Sequence, residues 1–375
     1  MPKPRIAIVH DWLNTLGGDV RVIEAFHEAF PEAPIYTSVY DPSVLPQFKK
    51  TAIHTTWLQR FPPFLRRFHK FFPMLRVWAF RSLDLKDYDI LLVSSSAESK
   101  QIKKLPHQKI ICYCHTPIRY YWSHYAEYKK DPGFGSLNWL IRLAMPVMVP
   151  PLKKVDYQAA QRVDTFIANS SEVQQRIQQY YNKPSTVVHP PVDIERFSAS
   201  ALNKDRKGYI VVGRQVPYKR VDLAVAACTK LGLPLTIYGQ GSEHQRLKAM
   251  AGPTITFIVG ASDKEVATAF GKAKGFIFTA EEDFGIVQVE SLAAGTPVIA
   301  YGKGGSLDIV QEGETGIFFP EQTVESLVQT LQTFEGMSFL PATLHRRSKR
   351  FAKSLFISKI RKIVGDHIEQ KGEQL

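Results

Sequence analysis

The stretch AEEDFGIVQVESLAAGTPVIA, residues 280–300, joins an acidic loop to an apolar segment through Gly285. Glu282 and Glu290 flank this glycine and are separated by seven residues. If Gly285 opens a helix, Glu282 lies in the preceding loop and Glu290 lies at least one turn inside the helix. Both carboxylates then point at one bound molecule, and the N–H groups of residues 284–287 face a phosphate between them. The alternative is that the acidic residues only cap the helix.

Short segments rich in valine and isoleucine alternate with helix-length segments on both sides of this stretch. Apolar strands that are buried on both faces and separated by helices are typical of parallel sheets in α/β proteins. The sequence therefore predicts two doubly wound, Rossmann-like lobes. The predicted strands are Ile6–Val9, Ile35–Val39, Ile90–Ser94, Ile110–Cys114, Thr165–Ala168, Thr186–His189, Tyr209–Val212, Leu235–Tyr238, Ile255–Val259, Gly275–Phe278 and Val298–Tyr301.

A proline-led polar stretch, residues 190–206, separates the two series of strands and is the predicted linker. We place the N-terminal lobe at residues 1–195 and the C-terminal lobe at residues 196–345. The tail, residues 346–375, follows the second lobe. Residues 345–370 predict a helix whose apolar face carries Phe356, Ile360, Ile363 and Val364.

The composition is that of an ordinary globular protein of 375 residues, with 44% apolar and 22% charged residues. The formal net charge of +13 favours anionic partners such as phosphorylated ligands, anionic lipids or nucleic acids. Three cysteines without a Cys-x-x-Cys pair exclude a disulfide framework and predict a cytoplasmic protein. The first residues lack the pattern of a signal peptide. The longest apolar stretch, Trp139–Leu152, is interrupted by Arg142 and by prolines, so no spanning helix is expected.

Three further loops follow predicted strands, where ligands bind in open α/β sheets. Gly17-Gly18 would let backbone N–H groups approach an anion, unless the pair only shapes a turn. His115 ends the fourth predicted strand, a position that favours a functional role over a structural one. Arg214 and Lys219 flank a proline turn at a helix start, where cations oppose the helix dipole unless an anion binds there. A solvated basic turn is the alternative.

The Glu-x7-Glu pattern with Phe-Gly inside it, followed by AAGTPVIA, resembles the retaining nucleotide-sugar glycosyltransferases of family 4, which have the GT-B fold. The phrases YCHTPIRY (113–120), ANS (168–170) and HPPVD (189–193) are similar to bacterial mannosyltransferases of polysaccharide and O-antigen assembly. The resemblance implies two lobes facing a central cleft, with the C-terminal helix packing back toward the N-terminal lobe. It covers nearly the whole chain through Gly17-Gly18, His115, Gly213-Arg214 with Lys219, Gly239-Gln240-Gly241, Val259-Gly260 and Ser262-Asp263.

The resemblance also implies that cations replace a divalent metal. Breaking a sugar–phosphate bond develops negative charge on the diphosphate, which Arg214 and Lys219 would stabilise together with helix N–H groups. Glu282 would hold the donor sugar, with His115 beside its reacting end, and these four residues form the expected catalytic set. Glu290 would hold the ribose hydroxyls. No metal or other cofactor is expected. The residues expected to bind the donor are Gly17, Gly18, Arg214, Lys219, Gly239, Val259, Glu282, Asp283, Phe284, Gly285, Ile286, Val287 and Glu290.

Two other features of the sequence have a functional interpretation beside a structural one. Asp87-Tyr88-Asp89 matches the metal motif of the other large glycosyltransferase fold, but it directly precedes a strand and predicts a helix-to-strand turn. The segment Arg60–Arg81 carries six cations, seven aromatic residues and no acid. It predicts an amphipathic helix that contacts the cytoplasmic face of a membrane, with an ordinary lobe helix as the alternative.

The function that follows is transfer of a hexose, expected to be mannose from GDP-mannose, to a lipid-linked or saccharide acceptor. Asp283 stands where many relatives have glycine, and we expect this aspartate to restrict which hydroxyl groups of the donor sugar the site recognises. The alternatives are a UDP-sugar-dependent transferase of the same fold and a GT-B epimerase, against which the Glu-x7-Glu pattern argues. A non-catalytic protein that binds membranes or nucleic acids is the alternative from another class. Nucleic acid is not expected as a partner, because the charge is spread and no recognition module is apparent.

Overall fold

The computed structural model describes residues 4–62, 66, 72–130, 138–200, 203 and 205–372. The chain divides into two compact units. Unit 1 comprises Met1–His189 and Phe356–Leu375, and unit 2 comprises Pro190–Leu355.

The first boundary lies between His189 and Pro190 rather than between residues 195 and 196. The reason is that Val192 already pairs with the end of unit 2, where its N–H donates to the carbonyl oxygen of Phe351 at 3.0 Å. Phe351 is itself buried in the core of unit 2. The part of the tail that belongs to unit 1 therefore begins at Phe356 and not at residue 346.

Unit 1 is built on a parallel sheet flanked by helices. Its described strands are β1 (Ile6–His10), β2 (Ile35–Thr37), β3 (Ile53–Thr55), β4 (Ile90–Ser95), β5 (Lys109–Cys114), β6 (Thr165–Ala168) and β7 (Ser185–Val187). They lie in the order β3-β2-β1-β4-β5-β6-β7, so the order reverses between β1 and β4. The described helices before the linker are α1 (Gly18–Ala29), α2 (Pro73–Arg81), α3 (Tyr125–Lys130), α4 (Asn138–Gln161) and α5 (Ser171–Tyr181).

The terminal helix, Lys353–Gly372, completes the core of unit 1. Its side chains Phe356, Ile360 and Val364 are buried against the sheet and α1. The ring of Phe356 stacks on Phe26 at 5.8 Å and meets the edge of Tyr113 at 5.6 Å. Burial of apolar rings of this size accounts for the docking of the helix.

Unit 2 has a second parallel sheet with helices around it. Its described strands are β8 (Tyr209–Val212), β9 (Leu235–Tyr238), β10 (Ile255–Ile258), β11 (Gly275–Phe278), β12 (Val298–Tyr301) and β13 (Gly316–Phe319). The order is β10-β9-β8-β11-β12-β13, which reverses between β8 and β11. The described helices are α6 (Val221–Leu231), α7 (His244–Met250), α8 (Asp263–Lys272), α9 (Ile286–Ala293), α10 (Ser306–Ile309), α11 (Val324–Glu335) and α12 (Pro341–Ser348).

The α/β class with two Rossmann-like parallel sheets is confirmed. The local differences from the prediction concern two edge strands and one helix. The edge strands β3 and β13 were not predicted. The single helix expected over 345–370 is interrupted by a 3-10 turn at Lys349–Phe351, which separates α12 from the terminal helix. None of the helices in the described part of the chain is long and apolar enough to cross a bilayer.

Candidate active site

In unit 2 the loops after β8 and β11 meet where the strand order reverses, the place where ligands bind in open α/β sheets. Lys219 lies in the 3-10 turn Pro217–Lys219 after β8, and its Nζ contacts the carboxylate of Glu282 in the loop after β11. Both side chains are largely buried, with 17% and 18% of their surface exposed. The hydroxyl of Thr279 donates to the carbonyl oxygen of Lys219 at 2.7 Å, which ties the two loops together. The structure thus brings together two residues predicted for one site.

Glycines allow the backbones of these loops to approach one another closely. Gly239 has a φ of +124°, and a Cβ there would lie 2.2 Å from the carbonyl oxygen of Gly213. Gly304 has a φ of +62°, and its Cβ would lie 2.4 Å from the carbonyl oxygen of Glu282. The N–H of Gly305 donates to that same oxygen at 2.8 Å. Gly304 and Gly305 therefore hold the loop that carries Glu282, a role the sequence analysis missed although the Gly-Gly pair follows a predicted strand.

Gly285 precedes α9 in the left-handed region, with a φ of +88°. A Cβ there would lie 2.6 Å from the side-chain nitrogen of Gln288. The helix itself starts at Ile286, so among residues 284–287 only the last two lie in it. Phe284 is buried and packs edge-on against Phe351 at 5.7 Å. Asp283, Ile286 and Val287 are half-buried at this end of the helix.

Glu290 lies inside α9 with 9% of its side chain exposed. Arg196 donates from Nη2 to its Oε1 at 3.1 Å, and Nη1 of the same guanidinium contacts Asp263 at 2.5 Å. The residue predicted to bind ribose hydroxyls is therefore oriented by an arginine that the sequence analysis missed. Arg196 is 94 positions away from Glu290, and no local motif marks it.

The two cations predicted for the diphosphate line one small cleft. Arg214 and Lys219 share its wall with Gly213, Thr279 and Ala280, at the ends of β8 and β11. The side chain of Arg214 is exposed and donates to the hydroxyl of Tyr218 at 2.9 Å. Anions are stabilised where cationic side chains and polar backbone groups converge in this way.

Val259 and Gly239, also predicted to bind the donor, lie after the neighbouring strands of unit 2. Val259 directly follows β10, and 47% of its surface is exposed. Gly239 directly follows β9 and is half-buried. Both residues are therefore at the carboxyl edge of the sheet that carries Gly213 and Lys219.

In unit 1, His115 directly follows β5 and is half-buried. The hydroxyl oxygen of Ser94 lies 2.8 Å from its Nε2 and 3.1 Å from Nδ1 of the fully buried His10. On its other side, Nε2 of His10 lies 3.6 Å from a carboxylate oxygen of Asp19. Nδ1 of His10 also lies 3.3 Å from the carbonyl oxygen of Ser94, which can only accept, so this nitrogen carries the proton. The Ser94 hydroxyl can then accept from His10 and donate to Nε2 of His115. His115 was predicted for the site, whereas Ser94 and His10 were not, because their alignment with His115 requires the pairing of β1, β4 and β5.

The buried Asp11 organises the loops at the same edge of this sheet. Its carboxylate accepts hydrogen bonds from the backbone N–H groups of Ser96, Ala97 and Ser99 at 2.6–2.9 Å. Burial alone raises the pKa of Asp11, but the nearby His10 and the backbone donors outweigh it and lower the pKa below its ordinary value. Asp11 therefore stays ionised and fixes the loop after β4.

Gly17 and Gly18, predicted to approach an anion, are exposed at the start of α1. Gly17 is the residue before the helix and has an extended backbone. A Cβ at Gly17 would lie 2.3 Å from a carboxylate oxygen of Asp19, the acidic residue in the first turn. This acid lies against His10, so the glycine pair and the His115 cluster meet at one edge of unit 1.

Asp87 and Asp89 lie before β4, at the edge of the sheet opposite to His115. The backbone N–H of Arg5 donates to Asp89 at 2.9 Å, and its guanidinium lies 3.6 Å from Asp87. The two acids therefore have a structural role in the turn before β4. Within the described ranges, no group of three or more His, Cys, Asp or Glu side chains is placed to hold a metal ion.

Part of the proposed membrane segment, Arg60–Arg81, belongs to the core. Arg76 is 2% exposed and donates to Glu98 at 2.6 Å, so this cation does not face outward as predicted. Phe80 is fully buried, whereas Trp78 is 56% exposed. Phe72 is 50% exposed, and Arg60 is exposed as well. Phe64, Arg67, Phe68, Lys70 and Phe71 of this segment lie outside the described residues.

Two family models together match residues 16–351 of the chain. The model described as "Glycosyltransferase Family 4" matches residues 16–196, and the model described as "Glycosyl transferases group 1" matches residues 192–351. The first covers most of unit 1, and the second covers most of unit 2.

Curated relatives are similar over part of the chain. A "GDP-mannose-dependent alpha-mannosyltransferase" of Mycobacterium tuberculosis is 35% identical over 139 residues, which are 34% of this chain and 36% of the relative. A "D-inositol 3-phosphate glycosyltransferase" of a Mycobacterium species is 29% identical over 228 residues, 54% of this chain and 52% of the relative. The chain thus spans about half or less of the length of the relatives it matches.

Solved structures match along almost the entire chain. Sucrose-phosphate synthase from Thermosynechococcus elongatus has a TM-score of 0.73 at 16% identity, with 98% of this chain and 100% of that chain covered. Anabaena HepE, crystallised in complex with UDP and glucose, has a TM-score of 0.65 at 13% identity, with 97% and 100% covered. The similarity to these solved structures shows the fold, and the two family models assign the sequence to the glycosyltransferases. The chain belongs to family 4 of the glycosyltransferases and has the GT-B fold.

Proposed function

We propose that this protein is a retaining glycosyltransferase that moves a hexose from a nucleoside-diphosphate sugar to a lipid-linked or saccharide acceptor. The observation that carries the proposal is the contact between Lys219 and Glu282 where the strand order of unit 2 reverses. A cation suited to phosphate and a carboxylate suited to sugar hydroxyls lie side by side there. Glycines hold both loops at backbone distances that no other residue permits.

The charge in this cleft suits the departure of a nucleoside diphosphate. As the bond to the anomeric carbon breaks, negative charge grows on the diphosphate, and fixed cations lower the energy of that state. Lys219 and Arg214 supply two such cations, and Lys219 is held in place by Glu282 before any ligand binds. Removing one preorganised donor of this kind costs about 2.7–4 kcal/mol of transition-state stabilisation in other enzymes. We therefore propose that the reaction needs no divalent metal.

The carboxylates have separate tasks in this proposal. Glu282 binds hydroxyls of the donor sugar, and Glu290, oriented by Arg196, binds the ribose. His115 acts at the reacting end of the sugar, as the family resemblance implies. Its ring is positioned by Ser94, which supports this assignment.

GDP-mannose is the donor that we propose, and mannose is the transferred sugar. The support is the 35% identity to a relative named for GDP-mannose-dependent α-mannosyl transfer. A UDP-sugar donor is the second candidate, because a structural neighbour was crystallised with UDP and glucose. We also propose that the protein works in the cytoplasm, at or near the membrane face where a lipid-linked acceptor is presented.

Thermal melting with a panel of ligands in EDTA tests this proposal. A ligand at one hundred times its dissociation constant stabilises the folded state by about 2.7 kcal/mol. We expect GDP-mannose to raise the melting temperature in EDTA, UDP-glucose to raise it less, and an oligonucleotide to leave it unchanged. A shift that appears only when Mg²⁺ or Mn²⁺ is added contradicts metal independence. A shift with the oligonucleotide alone contradicts the assignment as a transferase.

A further inference from the structure

An apolar cavity of about 360 Å³ lies in unit 1, next to the loops after β1, β4 and β5. One wall is a single face of α4, on which apolar residues recur at spacings of three and four. That face carries Ile141, Ala144, Met145, Met148, Val149 and Leu152. Trp12, in the loop after β1, also lines the cavity. The volume lies within the range of small-ligand sites, about 300–1,000 Å³.

Most polar side chains in the wall of the cavity, those of Arg76, Ser96, Tyr120 and Tyr121, already have hydrogen-bond partners within the protein. Arg76 donates to Glu98 at 2.6 Å and to the hydroxyl of Tyr120 at 3.0 Å. The hydroxyls of Tyr120 and Tyr121 donate to the other oxygen of Glu98 at 2.9 and 3.3 Å. A sugar or a nucleotide base inside the cavity would leave most of its polar groups without partners, at a cost of about 1–3 kcal/mol for each. The cavity is therefore suited to an apolar chain.

The outward face of α4 is apolar as well. Trp139, Leu143 and Val147 are spaced four residues apart and are 65%, 70% and 76% exposed. Met148 joins the two faces, because it lines the cavity and is still 47% exposed. The apolar surface inside the cavity thus continues onto the outside of the helix. A ligand longer than the cavity would remain in contact with apolar side chains at its mouth.

The first eighteen residues of this helix carry only positive charge, and Asp156 further along the helix is buried. Residues 138–155 contain no aspartate or glutamate, and they carry Arg142, Lys153 and Lys154. The preceding helix α3 ends in Lys129 and Lys130 and also carries the exposed Glu127, so it adds one net positive charge. An anionic head group attached to an apolar chain matches this arrangement.

Prolines in α4 limit how deeply it enters a bilayer. Pro146, Pro150 and Pro151 lack an N–H, so three carbonyl groups one turn earlier have no helical partner. Those carbonyls belong to positions 142, 146 and 147, which are all exposed. Such groups need water and are too costly to place in hydrocarbon. We therefore expect the apolar chain of a ligand to enter the cavity, and we do not expect α4 to insert into the bilayer.

We propose that this cavity binds the aliphatic chain of an isoprenoid phosphate, which serves as the lipid carrier of the acceptor. Its role as an acceptor subsite rests on the proposed glycosyl transfer, whereas binding of the chain itself does not. The cavity lies at the carboxyl edge of the unit 1 sheet, the edge that also carries His115.

Farnesyl phosphate below its micellar concentration is the probe, and isothermal titration calorimetry of the full chain is the measurement. We expect saturable binding to the wild type, no binding of inorganic phosphate, and at least tenfold weaker binding of short-chain dihexanoyl phosphatidylglycerol. The phospholipid distinguishes an isoprenoid site from general affinity for membrane lipids. Equal binding of the two lipids overturns the proposal.

Two cavity variants and one matched control locate the site. Ala144→Phe fills the cavity from its helical wall, and Met148→Asp places a charge at its exposed mouth, where the fold tolerates it. Each is expected to weaken farnesyl phosphate binding at least tenfold. Leu340→Ser, at an exposed apolar position in unit 2, is expected to bind as the wild type does. Wild-type binding by Met148→Asp, or equal losses in Leu340→Ser and Met148→Asp, overturns the proposal.

Titration of GDP-mannose in parallel separates the two proposals. Farnesyl phosphate binding without donor binding contradicts the proposed function and leaves the apolar site standing. Donor binding without farnesyl phosphate binding contradicts the site and leaves the transferase proposal standing.

Discussion

Replacing Gly304 with alanine tests whether the Gly-Gly pair after β12 holds the loop of Glu282. Gly304 has a φ of +62°, and a Cβ there would lie 2.4 Å from the backbone oxygen of Glu282. Gly313 provides a matched control, because it has a φ of +76° and a Cβ there meets no atom within 4 Å. Both variants strain the backbone, but only Gly304→Ala displaces the loop.

The magnitudes follow from these contacts. Alanine in the left-handed region costs about 1–2 kcal/mol, which Gly304→Ala and Gly313→Ala share. In Gly304→Ala the loop must also shift, which disturbs the 2.8 Å hydrogen bond from the N–H of Gly305 to Glu282. The net value of such a bond is about 0.5–1.5 kcal/mol. We therefore expect the free energy of unfolding to fall by about 1.5–3.5 kcal/mol in Gly304→Ala and by about 1–2 kcal/mol in Gly313→Ala.

Two assays separate the variants. Urea denaturation measures the difference in stability, and calorimetric titration of GDP-mannose measures donor affinity. Because Glu282 moves only in Gly304→Ala, we expect that variant to bind the donor at least tenfold more weakly, while Gly313→Ala binds as the wild type does. Equal stability losses with unchanged donor affinity in both variants would show that the Gly-Gly pair does not position Glu282.

Three further predictions concern the proposed chemistry. Glu290→Gln is expected to weaken GDP binding by about 1.5–3 kcal/mol. Glu282→Gln is expected to keep GDP affinity, because the amide oxygen can still accept from Lys219, and to lose transfer; equal losses of GDP affinity contradict this division. Ser94→Ala is expected to lower kcat about tenfold and shift its pH profile, since the tautomer of His115 is no longer fixed, while Ser95→Ala leaves both unchanged; an unchanged profile in Ser94→Ala contradicts the positioning role. NMR of an early product is expected to show the anomeric configuration of the donor, and an inverted product contradicts a retaining mechanism.

The sequence predicts the central strands of both sheets well, because strands buried on both faces appear as uninterrupted apolar segments. The missed strands lie at the sheet edges and carry a weaker signal. In β3, Ile53–Thr55, the central residue is an exposed histidine and its two neighbours are only half-buried. In β13 the segment Gly316–Phe319 begins with a glycine and has half-exposed central residues. Edge strands of three or four residues are stabilised by their neighbour in the sheet and not by their own pattern.

In the candidate site, too, the local sequence does not reveal contacts between residues that are distant along the chain. Glu282 and Lys219 stand in recognisable local motifs, and the structure joins them. Arg196 and Ser94 act on predicted residues across long stretches of chain, so only the folded sheet order reveals them. Arg76 was expected to face outward because its neighbours are basic and aromatic. Its partner Glu98, 22 positions away, holds it in the core instead.

The most direct test of the central proposal is the affinity of Lys219→Ala for GDP-mannose in EDTA. Lys230→Ala, on the exposed end of α6 in the same unit, is the matched control for the loss of one positive charge. A charge-assisted hydrogen bond contributes about 1.5–3 kcal/mol, which corresponds to a tenfold or greater loss of affinity. We predict that loss in Lys219→Ala and wild-type affinity in Lys230→Ala. Wild-type affinity in Lys219→Ala contradicts the proposal that this cleft binds the donor diphosphate.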